Sequence, residues 1–291
     1  MKNRQRRITI YSMIFIAPWA LGFLAFTIYP IAMSLYYSLT AYTLGSSPQW
    51  IGLANWNAMF HDPLFWTALR NTLYYAGGTV PLQLVVALAI AVLLNANIFG
   101  RGIFRTIFYL PTVVPTVATS ILWIALFNPF GGIINHALGL MHLPQPLWLQ
   151  SPAWAMPALI LMSAWSVGST IVIFLAGLQD VPRYLYEQAT IDGARGWQIF
   201  RNVTLPMISP IILFNLILGI IGSMQTFTQP FLMTAGGPVN STLLFSLYVF
   251  RNAFQYLNMG YASTLAWFLF MVMFGLTLLV LRLTRKSVFY R

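Results

Sequence analysis

Cysteine is absent from the 291 residues of this chain, and acidic residues number only four. The missing thiol excludes disulfides and thiolate metal sites. The only lysines are Lys2 and Lys286, and neither follows glycine. The Gly-Lys-Ser/Thr end of a phosphate-binding loop is therefore absent, and nucleotide hydrolysis by the chain itself is not expected. His61, His136 and His142 lack metal-site spacing, and three of the four acids crowd into one segment while Asp62 stands apart. No nucleophile–base set or metal-ligand cluster results. Charged residues make up 7% of the chain, against about 25% in a soluble domain. That shortage excludes an ordinary soluble domain and a disordered chain. The net charge of +11 invites a nucleic-acid reading. The basic residues argue against it, because they sit at the ends of apolar runs, where they act as topology signals.

Hydrophobic residues supply 59% of the chain. A helix crossing a bilayer needs about 20 apolar residues. Six runs qualify, near Tyr11 to Leu39, Leu73 to Leu94, Ile107 to Phe127, Trp154 to Leu178, Ser209 to Leu232 and Tyr261 to Leu283. The first contains Pro30, is longer than a signal-peptide core and lacks a clean cleavage site, so it reads as a retained helix. With the N-terminus inside, 13 of the 15 basic residues fall on the cytoplasmic side. These are Lys2, Arg4, Arg6, Arg7, Arg101, Arg105, Arg183, Arg195, Arg201, Arg282, Arg285, Lys286 and Arg291; only Arg70 and Arg251 fall outside. The expected fold is thus all-α: a polytopic membrane protein with six transmembrane helices and both termini cytoplasmic. Without internal repeats, linkers or low-complexity tracts, residues 1–291 read as a single domain.

The cytoplasmic loop 179–208 holds Asp180, Glu187 and Asp192 beside Arg183, Arg195 and Arg201. Asp180 before Val181-Pro182 reads as a helix start. On a helix, Arg183 lies one turn before Glu187 and Asp192 three residues before Arg195, so both pairs can meet. Ala189, Gly193 and Gly196 fall on one helical face that another backbone can approach closely. The two glycines equally suggest a break. Trp197 and Phe200 are expected to anchor the next segment to apolar surface. On charge and glycine pattern alone, the loop also fits an amphipathic surface helix between two spans.

The wording of the loop adds more. Glu187-Gln188-Ala189, then Asp192-Gly193-Ala194, then Val203-Thr204-Leu205-Pro206 resembles the EAA loop of ABC importer permeases. Gln188 stands for the usual alanine and Val203 for the usual isoleucine. The resemblance implies a type I ABC importer transmembrane fold with a coupling helix that docks on a separate ATP-hydrolysing subunit. Glu187, Ala189, Asp192, Gly193 and Ala194 would form the docking element, and Leu205 and Pro206 would join it to the fifth span. No cofactor would be bound by this chain, ATP and magnesium belonging to the partner subunit. A second permease subunit, similar but a different chain, two nucleotide-binding subunits and an extracytoplasmic solute-binding protein are the implied partners. The implied location is the inner (cytoplasmic) cell membrane, with lipid around the spans.

Polar groups within spans often mark a transport path. The fourth span offers Ser163, Ser166, Ser169 and Thr170 beside Trp165; the fifth offers Asn215, Ser223, Gln225, Thr226, Thr228 and Gln229 beside Phe227. From these the expected path residues are Trp165, Ser169, Asn215, Gln225, Thr226, Thr228 and Gln229. Neutral hydroxyls and amides with aromatic faces suit a sugar. The same groups also serve helix packing in membranes. Outside the spans, Gly52-Leu53-Ala54-Asn55-Trp56, Asp62-Pro63, Asn71-Thr72, Gly236-Gly237-Pro238 and Gly260-Tyr261-Ala262 resemble the carbohydrate branch, similar to maltose- and glycerol-phosphate-type permeases. That branch implies sugar, polyol or glycerol-phosphate cargo. It also implies a binding protein docking on the outer face, where His61, Asp62, Arg70 and Arg251 are available. A secondary transporter would call for intramembrane ionisable groups or repeats, and none is found.

Overall fold

The computed structural model describes residues 2–96 and 99–285, with side chains from Met13 onward. The side chains of Lys2, Arg4, Arg6 and Arg7, and the whole of Lys286 and Arg291, lie outside the described residues. Helices dominate. In chain order they are α1 (Lys2–Phe23), α2 (Tyr29–Ser38), α3 (Ala54–Phe60), α4 (Pro63–Asn95), α5 (Arg101–Val113), α6 (Thr116–Leu126), α7 (Ile133–Leu140), α8 (Pro152–Ser163), α9 (Gly168–Asp180) and α10 (Arg183–Ile191). Next come α11 (Gly196–Ile199), α12 (Leu205–Met207), α13 (Ser209–Met224), α14 (Thr228–Met233), α15 (Phe245–Phe250) and α16 (Met259–Thr284).

Four stretches are long and apolar enough to cross a membrane: Met13–Ser38, Pro63–Asn95, Ser209–Met233 and Met259–Thr284. The count becomes six if each of two bent pairs is one span. In the first stretch a π-helical turn, Leu24–Ile28, joins α1 to α2 just before Pro30. Proline lacks the N–H of a regular ladder, and a π-bulge accommodates such a fault. The run read as one third span is instead bent by 99° between α5 and α6. Its cause is local: Val114 precedes Pro115 and is driven to extended backbone, ψ 129°. The fourth segment bends by 49° between Pro152–Ser166 and α9.

The chain divides into two compact units. One gathers residues up to Asp62 with Val249–Leu269; the other holds Pro63–Tyr248 and the residues from Phe270 on. In the first, β1 (Thr40–Ala41) pairs antiparallel with β2 (Gln49–Trp50) in the register Thr40 to Trp50. Asn55 Nδ2 donates to the carbonyls of Ser38 and Thr40 at 3.1 and 2.9 Å. Tyr261 donates its hydroxyl to Asp62 Oδ2 at 2.8 Å, and the Gly260 N–H donates to Tyr42 O at 2.9 Å. A Cβ on Gly260 would overlap the Thr40 carbonyl. Gly260→Ala should therefore lower the Tm of the purified protein clearly. An unchanged Tm would contradict this packing. The Asn55 and Gly260-Tyr261-Ala262 motifs thus act as fasteners, and Asp62 already serves Tyr261.

The second unit packs α4 against α9 and α13. Ala87 and Ala91 are fully buried one turn apart and let α4 approach Ile171, Phe174, Leu175 and Leu178. Small residues at such contacts gain close packing where lipid offers no hydrophobic drive between helices. A second cluster joins Tyr75, Leu159 and Met162 with Phe127, Trp148 and Met233. Asn71 Nδ2 donates to Asn240 O at 2.8 Å and Leu243 O at 3.2 Å, and Thr72 Oγ1 accepts the Phe245 N–H at 2.7 Å. Asn71→Ala removes the donor and leaves both carbonyls without it. A loss of about 1–3 kcal/mol is expected, read as a lower midpoint in denaturant.

Candidate functional site

Two places carry the polar residues expected to act, and both lie in the second unit. The first is the loop. α9 runs on through Asp180, so that residue ends a helix instead of starting one. Val181-Pro182 turns the chain, and α10 begins at Arg183. α10 stops at Ile191, where Gly193 takes a left-handed conformation, φ 77°. The Ala194 N–H donates to Ala189 O at 2.9 Å and the Gly193 N–H to Thr190 O at 3.0 Å. This is a Schellman ending, which glycine permits at little cost. α11 then starts after Arg195, whose N–H donates to Gln198 Oε1 at 2.8 Å.

The helical face expected from Ala189, Gly193 and Gly196 is therefore replaced by a turn between two helices. Its consequence differs little: no described residue lies within 4 Å of a Cβ placed on Gly193 or Gly196. Among the described residues no ion pair joins Arg183 to Glu187 or Asp192 to Arg195, and all four side chains are exposed. Trp197 is stacked on Phe200, with centroids 5.5 Å apart, and is 71% exposed, while Phe200 is half-buried. Ala189, Ala194, Leu205 and Pro206 are half-buried. Below the loop, Tyr186 and Thr204 hydroxyls meet at 3.2 Å, and Ser209 Oγ donates to Pro206 O at 2.6 Å. Sequence reasoning missed Ile191, which is 84% exposed at the tip beside Asp192. An isoleucine in a charged loop was the available signal.

The second place is a cavity of about 330 Å³ among α4, the two halves of the fourth segment, α13 and α14. Ser169, Asn215, Thr226 and Gln229 line it, as do Ser163, Ser166, Thr170 and Ser223. Trp165, Gln225 and Thr228 do not. The Trp165 ring packs edge-on to Trp123 at 6.2 Å, Gln225 is exposed at the C-terminal end of α13, and Thr228 opens α14. Three lining residues, Tyr75, Thr79 and Gln83, were missed on α4. They recur every four residues, so they form a polar stripe within an apolar run.

Several lining groups give their hydrogen to the backbone. Ser163 Oγ donates to Ile160 O at 2.6 Å, Ser223 Oγ to Ile220 O at 3.0 Å, Thr226 Oγ1 to Gly222 O at 3.2 Å, and Asn215 Nδ2 to Ile211 O at 2.9 Å. The structural use of these groups and their presence in a chamber thus coexist. A hydroxyl that donates to a carbonyl keeps lone pairs for another donor. Among the described residues no Asp, Glu, Lys, Arg or His lines the cavity. Such a wall suits a neutral polyhydroxyl ligand and offers a fixed charge no counter-ion.

The chain as a whole is similar to known transport proteins. The family described as "Binding-protein-dependent transport system inner membrane component" matches residues 83–287. The chain is 43% identical over 281 residues to the probable ABC transporter permease protein YesP of Bacillus subtilis strain 168, covering 95% of this chain and 91% of that one. It is 36% identical over 270 residues to the lactose transport system permease protein LacF of Rhizobium radiobacter, with 90% of each covered. The sulfoquinovosyl glycerol transport system permease protein SmoG of Agrobacterium fabrum is 33% identical over 281 residues, with 96% and 91% covered. A crystal structure of a bacterial alginate ABC transporter superposes with a TM-score of 0.83 over 98% of this chain and 96% of that one. At 24% identity it speaks to the fold.

Proposed function

The chain belongs to the family of inner-membrane components of binding-protein-dependent transport systems, and on that premise we propose that it forms half of the path of an ATP-driven sugar or oligosaccharide importer. It is a permease subunit, a non-catalytic component of an ABC transporter. In this proposal residues 1–291 act as one transmembrane domain of six spans, both termini cytoplasmic, in the cell membrane. The other half of the path is a similar, different permease chain. Two nucleotide-binding subunits hold ATP and magnesium, and a solute-binding protein delivers cargo from outside.

The observation that carries the cargo class is the uncharged, hydroxyl- and amide-lined chamber. Ser169, Asn215, Thr226 and Gln229, with Tyr75, Thr79 and Gln83, face the passing sugar there. Relatives named for lactose, starch degradation products and arabinooligosaccharides support the same class. A phosphorylated cargo would favour a cation in the wall, and among the described residues none lines the chamber. Glu187, Ala189, Asp192, Gly193 and Ala194 form the ATPase dock, and Leu205 with Pro206 ties it to α13. The exposed Glu187 and Asp192 and the open glycine surface support that role. A rigid connection of this kind passes on closure of the ATPase pair as movement of helices.

The test is uptake by proteoliposomes holding the complete complex with ATP inside. Labelled neutral oligosaccharide should accumulate only with ATP and binding protein both present. Uptake by the lone chain, or uptake that ignores ATP, contradicts the proposal.

A further inference from the structure

Gln83 borders the chamber and also holds the backbone of a different segment. Its Nε2 donates to the carbonyl of Ser163 at 3.0 Å. Ser163 is the last residue of α8; the chain then passes through a 3-10 turn, Ala164–Ser166, and leaves helical pairing at Val167 before α9 begins. The two rods meet there at 49°. The start of α9 is seated against α5: a Cβ on Gly168 would lie 2.8 Å from Phe108 O and overlap the Thr112 hydroxyl. From this joint α9 continues unbroken to Asp180, and α10 follows within three residues. Among the described residues the amide oxygen of Gln83 has no protein partner, and its side chain lines the chamber.

We infer that Gln83 is a positioning residue that reports cargo to the loop. A hydroxyl in the chamber donates to Oε1, which polarises the amide and strengthens its N–H bond to Ser163 O, since linked hydrogen bonds reinforce each other. Cargo thereby tightens the joint and biases the direction of α9. The inference rests on the proposed dock at 179–208, which receives that movement.

The test uses the complete complex in lipid. Loaded binding protein must first stimulate the ATPase of the unaltered complex; failure at that step refutes the dock itself. Gln83→Met keeps the length and removes the donor. It should cut stimulation about 5- to 10-fold, the worth of roughly one hydrogen bond, and raise the ATP hydrolysed per sugar imported. With no native cysteine, spin labels at Leu161→Cys and Val172→Cys, both about half exposed, read the joint directly. Their distance distribution should be narrow with Gln83 and broad with methionine. If Gln83→Met fails to assemble, Gln83→Asn, too short to reach Ser163, should show the same loss. Unchanged stimulation, or a change only in the cargo concentration for half-maximal uptake with the distance distribution intact, overturns the inference.

Discussion

Gly193→Trp is expected to strip the ATPase subunits from the purified complex, while Gly193→Ala retains them. Two effects separate the variants. Gly193 has φ 77°, so any side chain there costs about 1–2 kcal/mol of backbone strain. Alanine adds only that, and a helix end held by Schellman bonds tolerates it with some fraying. Tryptophan adds bulk to a position where nothing lies within 4 Å inside the chain. The bulk is therefore expected to obstruct a subunit that docks from outside. A loss of at least 100-fold in ATPase recovered with the permease is expected, corresponding to about 2.8 kcal/mol or more of docking energy. Equal recovery from both variants would show that the glycine serves only the turn.

Gly222→Trp is expected to abolish sugar uptake and leave the complex assembled. Gly222 lines the chamber on α13, and a Cβ there meets nothing within 4 Å. Its neighbour Gly219 is a poorer test, because a Cβ there already stands 3.3 Å from Val80. An indole at 222 projects from a Cβ position that meets no described atom within 4 Å, at the wall of the chamber. Uptake should fall at least 100-fold, with ATPase subunits recovered as in the unaltered complex. Gly222→Ala should import at close to the unaltered rate. Uptake that survives the tryptophan would place the path elsewhere.

Features governed by local chemistry are legible in the sequence. Length and apolarity mark the membrane segments, and the arginine distribution sets their expected direction. The serines of the fourth segment and the polar groups of α13 stand out in apolar surroundings, and most of them do line the chamber. What escaped depends on periodicity within a run or on contacts far apart in sequence. Tyr75, Thr79 and Gln83 were hidden in a stretch read only for its length. The 99° bend at Val114-Pro115 was hidden in the same way, although the proline was visible. Asn71 bonds a residue 169 positions away and Asp62 one 199 away. No local pattern shows that those outer motifs are fasteners. In the loop, the glycines offered either a contact face or a break; φ at Gly193 decides for the break, while its surface stays open.

The dock is tested most directly by cross-linking from Ile191, the most exposed apolar side chain at its tip, 84% accessible. The chain has no cysteine of its own, so Ile191→Cys, labelled before assembly with the partner subunits, carries a single photoactivatable label into the complete complex. Light should join this subunit to a nucleotide-binding subunit, and loaded binding protein with ATP should change the yield. Adducts with lipid alone, or none to a nucleotide-binding subunit in an active complex, would contradict the dock.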